Sequence, residues 1–244
     1  GRMPHALLVT GLPGVGKSAF ARHLAALLVC EEPAGTAPCS NCSACRLFAA
    51  GNHPDYFPVS PQEDSSVIKI DQVRRLGEGL ALSHHGAGYK VAVLEPAEAL
   101  NINAANSLLK TLEEPADKTV LILVTAQPGR LTATIRSRCR QLGIGVPAES
   151  DALKWLQGQY KGSQPEVLLR LAHWAPLRAL LEVLATKLSL SDDEEERRAT
   201  QTRIGSIHEQ LGHHEKAIEA IYKGGPANVQ GLIEMLGEPG TAED

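Results

Sequence analysis

The sequence has no surplus of positive charge, no long apolar run and no cysteine pattern of the disulfide-framework kind. Its 24 Lys and Arg are outnumbered by 28 Asp and Glu, for a formal net charge of −4. A protein that holds nucleic acid unaided usually shows a basic surplus, so direct, independent nucleic-acid binding is not the expectation. No stretch reaches the roughly 18 consecutive apolar residues of a transmembrane helix, so neither a membrane span nor a membrane partner is expected. No signal peptide is visible, and the first strand pattern begins at Ala6, so the start reads as truncated. Of the five cysteines, four are clustered. That grouping points to a metal site in a cytoplasmic protein rather than to disulfides. With 244 residues, 43% of them hydrophobic, the chain is long enough for one sizeable α/β core and a smaller second unit.

The most specific feature present is Gly11-Leu12-Pro13-Gly14-Val15-Gly16-Lys17-Ser18, a phosphate-binding loop of the form G-x-x-x-x-G-K-[ST]. A β-prone apolar run, Ala6 to Thr10, precedes it, and an apolar-periodic helix, Ala19 to Val29, follows. Glycines at these positions let successive backbone N–H groups turn toward phosphate oxygens, and the helix N-terminus adds partial positive charge. Lys17 can reach the β- and γ-phosphates, and Ser18 can ligate magnesium. The bland reading of the same residues is a glycine-rich turn that holds nothing.

Along residues 1–146, strand and helix patterns alternate. Strands are predicted at Ala6–Thr10, Val67–Asp71, Lys90–Leu94, Thr119–Thr125 and Gln141–Gly145, with helices at Ser18–Val29, Gln72–Leu82, Asn103–Glu113 and Leu131–Arg136. Alternation of apolar strands and helices predicts a parallel sheet flanked by helices. Asp71 is a plausible N-cap for the second helix, and Pro115 with the acidic pair before it ends the third. Residues 147–188 read as a small helical lid. Residues 189–244 read as an acidic linker or charged helix start followed by a helical tail. Within that tail, Gly205, Gly212, Ala217 and Ile221 echo the spacing of one tetratricopeptide unit. A single unit cannot bury its own face, so a helical hairpin is expected there. Residues 237–244 read as a frayed end.

Cys30, Cys39, Cys42 and Cys45 are spaced C-x8-C-x2-C-x2-C, an insert at 30–45. Two residues between cysteines let both thiolates reach one metal from a tight turn. Four thiolates close a tetrahedral shell, which favours structural zinc over catalysis. The alternative is redox-active or merely buried thiols. Cys139 stands alone and is expected in the core.

A P-loop ATPase needs a carboxylate at the end of a neighbouring strand to hold magnesium, often with a second to orient water. The strand Lys90–Leu94 is followed by Glu95-Pro96-Ala97-Glu98. Glu95 stands where the magnesium carboxylate belongs. The next position is Pro96, which cannot orient water. Glu98 is a candidate substitute, or simply an acidic residue at a helix start.

Taken together, the ordered set Gly11–Ser18, the four-cysteine insert, Asn52-His53-Pro54-Asp55-Tyr56, Asn106-Ser107-Leu108-Leu109-Lys110-Thr111-Leu112-Glu113-Glu114-Pro115 and Ser137-Arg138-Cys139 closely resembles the bacterial clamp-loader AAA+ subunits over roughly residues 3 to 185. The resemblance implies a P-loop AAA+ domain with a zinc-binding insert, followed by a helical lid. It implies binding of ATP (or ADP) with magnesium, and structural zinc. It also implies partners: the other loader subunits (gamma/tau and delta) in a hetero-oligomeric ring, a sliding clamp, and primed DNA gripped through the assembly. By position, Arg138 matches the arginine finger that reaches a neighbouring subunit's nucleotide, Thr125 the sensor-one residue, and Arg178 the sensor-two arginine. A guanidinium suits the first role because its planar donors offset charge building on the γ-phosphate. The chain departs from the motor subunits at Glu95-Pro96, where they carry Asp-Glu. That fits a stator that closes the ring and donates an arginine with little turnover of its own. Residues 186–244 do not recognisably match the family's collar-forming domain. Two other functions compete: a self-sufficient P-loop ATPase using Glu95 and Glu98, and a zinc-bearing adaptor with a vestigial P-loop.

Overall fold

The computed structural model describes residues 3–62, 65–82, 88–160, 162, 164–191, 193–211 and 220. The chain divides into two compact units, Gly1–Gly11 with Lys17–Ile144, and Leu12–Gly16 with Gly145–Asp244.

The first unit is built on strands β1 (Ala6–Thr10), β2 (Tyr56–Val59), β3 (Lys90–Leu94), β4 (Thr119–Thr125) and β5 (Arg140–Gly143). They form one parallel sheet in the order β2-β3-β4-β1-β5. Every residue of β3 and β4 is buried, as a sheet covered on both faces requires. Successive side chains alternate between the faces. Leu121 and Leu123 join Leu8 and Leu94 on the side packed by α3 (Ile70–Ala81), α4 (Ile102–Glu113) and α5 (Ala133–Arg138), through Leu76, Leu80, Leu108, Leu112 and Ile135. Val120, Ile122 and Val124 face the other way with Val9, Val91 and Val93, against Ala21, Ala25 and Val29 of α1 (Lys17–Val29) and against Phe48 of α2 (Ser43–Ala49). This is the parallel P-loop α/β architecture expected from the alternating pattern.

Side-chain caps start two of the helices on one face of the sheet. The Asn101 side chain accepts from the Ala104 N–H at 2.8 Å and starts α4. Thr132 does the same for α5 through the Ile135 N–H at 3.4 Å. The register Thr10↔Thr125 brings the end of β1, where the phosphate loop begins, level with the end of β4. The Glu95 N–H donates to Val59 O at 2.9 Å, which fixes Glu95 at the same carboxyl-terminal edge of the sheet. Loops at that edge are where parallel sheets place their ligands.

Three expectations change. Val67–Asp71 is not a strand: Ile68 makes an isolated bridge with Leu100, and α3 begins at Ile70. The helical period Val73, Leu76, Leu80 wins over the five-residue strand pattern. Asp71 is therefore not the N-cap but an acid in the first turn. The cap residue is Lys69, whose N–H donates to Gln72 Oε1 at 2.9 Å. The fifth strand of the sheet is instead Tyr56–Val59, an edge strand able to carry Pro58 because edges tolerate a missing donor. The smaller shifts put β5 at Arg140–Gly143 and α5 two residues later than predicted, after its Thr132 cap.

The second unit holds α6 (Glu149–Gln159), α7 (Pro165–Leu171), α8 (Pro176–Leu190) and α9 (Glu194–Gln210). Its core joins Leu156, Leu169, Ala172, Leu180, Leu184, Ile204 and Ile207. The acidic run after Leu190 thus leads into a helix whose apolar positions pack in the same cluster. Of the tetratricopeptide-like positions, Gly205 lies on α9, whereas Gly212, Ala217 and Ile221, like residues 237–244, lie outside the described residues. No helix of the described residues is long and apolar enough to cross a membrane.

Candidate functional site

The phosphate loop leaves β1 at Gly11 and enters α1 at Lys17. Gly14 and Gly16 have φ of +85° and +94°, a region open to glycine and costly for other residues. Within the second unit, Gly14 O accepts the Leu177 N–H at 3.3 Å. Val15 beside it is half-buried.

Lys17 and Ser18 form the first turn of α1, opposite Glu95. The Ser18 hydroxyl donates to Glu95 Oε1 at 2.5 Å. Burial pushes the Glu95 carboxyl up to about 7, against the Ser18 hydrogen bond and the Lys17 charge, which pull it down, and with Glu98, which adds to the rise. Burial likewise lowers the Lys17 ammonium, and the Glu95 and Glu98 carboxylates partly restore it. One cation and two carboxylates therefore share a partly desolvated corner. A hydroxyl and a carboxylate in contact are the hard oxygen donors that magnesium takes alongside phosphates, so Ser18 and Glu95 fit that ion. When bound with nucleotide, it would neutralise charge on the β- and γ-phosphates.

Glu98 sits on a short 3-10 turn, Ala97–Ala99. Its Oε1 accepts the Ala126 N–H at 3.4 Å, and its Oε2 is buried with no hydrogen-bond partner among the described residues. Thr125, buried at the end of β4, accepts the Gln127 N–H on Oγ1 at 2.9 Å. A hydroxyl that accepts still has a hydrogen to donate. The structure thus brings together Lys17, Ser18, Glu95 and Glu98, with Thr125 next to the residue that Glu98 contacts.

The two arginines are placed differently. Arg178, on α8, pairs with Glu182 at 3.2 Å, and its backbone and Cβ lie beside Gly14 in the second unit. Arg138, at the end of α5, bonds Glu113 at 2.6 Å and Thr134 O at 3.1 Å. Glu113 stands out only in the structure, because nothing in a single sequence pairs positions on two different helices.

The four cysteines converge. All four sulfurs lie within 4.8 Å of one another. The Cys30–Cys42 and Cys39–Cys45 separations are 4.0 and 3.9 Å. With Zn–S bonds of about 2.3 Å, the edge of a tetrahedral thiolate shell is about 3.8 Å, so the residues fit zinc. Backbone N–H groups of Cys39, Cys42 and Cys45 donate to the sulfurs of Cys30, Cys39 and Cys42 at 3.3, 3.3 and 3.4 Å. Such donors favour the thiolate form that ligates metal. The Cys45 N–H is the main reason the Cys42 thiol falls to about 6, and by accepting it the Cys42 sulfur caps α2. Cys139 is buried in the core of the first unit, and burial pushes its thiol up to about 11.

A family model described as "DNA polymerase III, delta subunit" matches residues 1–147. The DNA polymerase III subunit delta' of Pseudomonas aeruginosa is 47% identical over 178 residues, which cover 72% of this chain and 54% of that protein. That of Escherichia coli (strain K12) is 41% identical over 182 residues, 74% of this chain and 54% of that protein. That of Bacillus subtilis (strain 168) is 34% identical over 213 residues, 87% and 62%. The chain spans about half the length of the first two relatives.

Proposed function

The chain belongs to the DNA polymerase III delta' family, and on that premise we propose that it is an ATP-binding accessory subunit of the clamp loader. In this reading it binds ATP (or ADP) with magnesium through Gly11, Gly14, Val15, Gly16, Lys17, Ser18 and Glu95. Thr125 senses the γ-phosphate, and Arg178 addresses nucleotide from its place beside Gly14. Arg138 is the arginine finger given to a neighbour during loading of the sliding clamp on primed DNA. The gamma/tau and delta subunits are its ring partners, the assembly supplies the grip on DNA, and the location is cytoplasmic. Zinc held by Cys30, Cys39, Cys42 and Cys45 staples the insert and takes no part in chemistry. Residues 1–146 form the nucleotide domain, 147–188 the lid, and 189–244 a linker and tail.

One observation carries the nucleotide reading: the Ser18–Glu95 contact beside Lys17, at the start of a helix reached through glycines at positive φ. Those residues are phosphate and magnesium ligands by chemistry, and none of them holds the fold's core. Pro96 supports weak turnover, since it leaves no side chain to orient water next to Glu95. The test is ATP hydrolysis with clamp and primed DNA, comparing partner subunits with and without this protein and the protein alone. Stimulation only in the mixture, lost with Arg138→Ala by roughly 10³-fold at the affected site, supports the reading. An unchanged rate for Arg138→Ala refutes the finger.

Glu98 favours a second reading, that of a self-sufficient ATPase. Its unpartnered oxygen and its electrostatic reach to Lys17 suit a water-orienting carboxylate. Hydrolysis by the isolated protein that Lys17→Ala abolishes would establish it; absence of turnover would end it.

A further inference from the structure

We propose that Glu113 is the positioning residue of Arg138, holding the guanidinium so that its unengaged edge faces a phosphate of the neighbouring subunit; this rests on the reading of Arg138 as an arginine finger.

Arg138 is gripped from two helices. Its Nη2 donates to Glu113 Oε1 at 2.6 Å, at the end of α4, and its Nη1 donates to Thr134 O at 3.1 Å, one turn back on α5. A guanidinium has five N–H donors in a fixed plane. Two contacts therefore set the plane and leave most donors for a ligand. The platform beneath is stiff, because α4 and α5 share the core through Leu108, Leu112 and Ile135, all fully or almost fully buried. The Arg138 side chain keeps 35% of its surface exposed, so its outer edge remains accessible.

The sequence breaks a local rule to make this arrangement. Glu113 and Glu114 lie at the carboxyl end of α4, where the helix dipole disfavours negative charge. Violations of that kind are expected where function requires them. Stability does not explain the pair, since Glu113 is 49% exposed and exposed ion pairs contribute little to folding. Orientation does: arginine carries large rotamer freedom, and a finger aligned before its partner arrives loses less on engagement.

The test is clamp- and DNA-stimulated ATP hydrolysis by an assembled loader carrying this protein as wild type, Arg138→Ala, Glu113→Gln, Glu113→Asp or the double variant. Glu113→Gln should lower kcat by roughly 10- to 100-fold with little change in KM, and Glu113→Asp should recover part of the loss. The double variant should be no slower than Arg138→Ala. Wild-type or faster rates for Glu113→Gln, while Arg138→Ala is slow, overturn the positioning role and leave the finger standing. A Glu113→Gln loss that is equally large in the Arg138→Ala background marks a general structural effect and also overturns it. A normal rate for Arg138→Ala removes the finger itself, and the role of Glu113 with it.

Discussion

Alanine at Gly14 should destabilise the protein more than alanine at Gly16, although both glycines adopt positive φ. The backbone cost is similar at the two sites: a non-glycine residue at φ near +90° loses about 1–2 kcal/mol. Alanine also restricts the unfolded chain, which returns about 0.4–1 kcal/mol. Gly16 should therefore lose only about 1 kcal/mol, because a Cβ there meets nothing within 4 Å. At Gly14 the added carbon would lie 2.8 Å from Arg178 Cβ, 3.1 Å from Arg178 N and 3.2 Å from Ala175 Cβ. These are backbone and Cβ atoms, so no flexible side-chain end can swing aside, and overpacking adds roughly 1–3 kcal/mol. At about 2–4 °C per kcal/mol for a protein this size, Gly16→Ala should melt about 3 °C lower and Gly14→Ala about 5–15 °C lower. Both tryptophans, Trp155 and Trp174, belong to the second unit with Gly14, so nucleotide-free thermal and urea melts followed by tryptophan fluorescence read the relevant transition. A Gly14→Ala protein that melts with, or above, Gly16→Ala would refute the close approach of Arg178. Two variants as stable as wild type would refute the left-handed conformations themselves.

Saturating Mg·ATP at about 100 times Kd should add about 2.7 kcal/mol to the native state and raise the melting temperature by several degrees; Lys17→Ala should abolish the rise, and a rise that survives it would place the nucleotide elsewhere. Arg138→Ala should leave that ATP-dependent shift intact, because Arg138 is engaged by Glu113 and Thr134 O and is proposed to serve a neighbour; a lost shift would mean that it serves its own site. Purified protein should contain one zinc per chain by mass spectrometry, and chelation should open residues 30–45 to proteolysis, since the loop between the cysteines has little apolar packing of its own. Metal-free protein with an intact, protease-resistant insert would leave the cysteines without the staple role.

The strands at the centre of the sheet were legible because burial on both faces writes a continuous apolar run. Ala6–Thr10, Lys90–Leu94 and Thr119–Thr125 match residue for residue. The edge strand was not legible, because Tyr56–Val59 is short, half-exposed and contains Pro58. The apolar pair Val67-Ile68 drew the prediction to the wrong segment. Sites followed the same logic. Cysteine spacing foretold convergence because the turns that bring the sulfurs together are local. The Ser18–Glu95 contact joins segments far apart in sequence and was readable only through a motif that specifies both. No motif specifies Glu113 against Arg138 or Glu98 against Ala126; each depends on how two elements pack.

The proposed separation between holding nucleotide and cleaving it turns on three neighbouring positions. Glu95 is pinned by its own N–H to Val59 and meets Ser18 through its carboxylate. Burial raises that carboxyl to about 7, and in the proposed reading a divalent ion arriving with phosphate would favour its charged form. Pro96 then removes the position from which a carboxylate would address water beside the γ-phosphate. Glu98 returns a carboxylate one short turn later, but one of its oxygens is already engaged by the Ala126 N–H at the end of β4. Its second oxygen is buried with no hydrogen-bond partner among the described residues. On the proposed reading, a site arranged this way would favour retention: the groups that would bind phosphate or metal are in place, and the group that would align the attacking water is displaced and half-committed. Arg138 is engaged by Glu113 and Thr134 O, and in the proposed reading its charge would serve chemistry in another subunit.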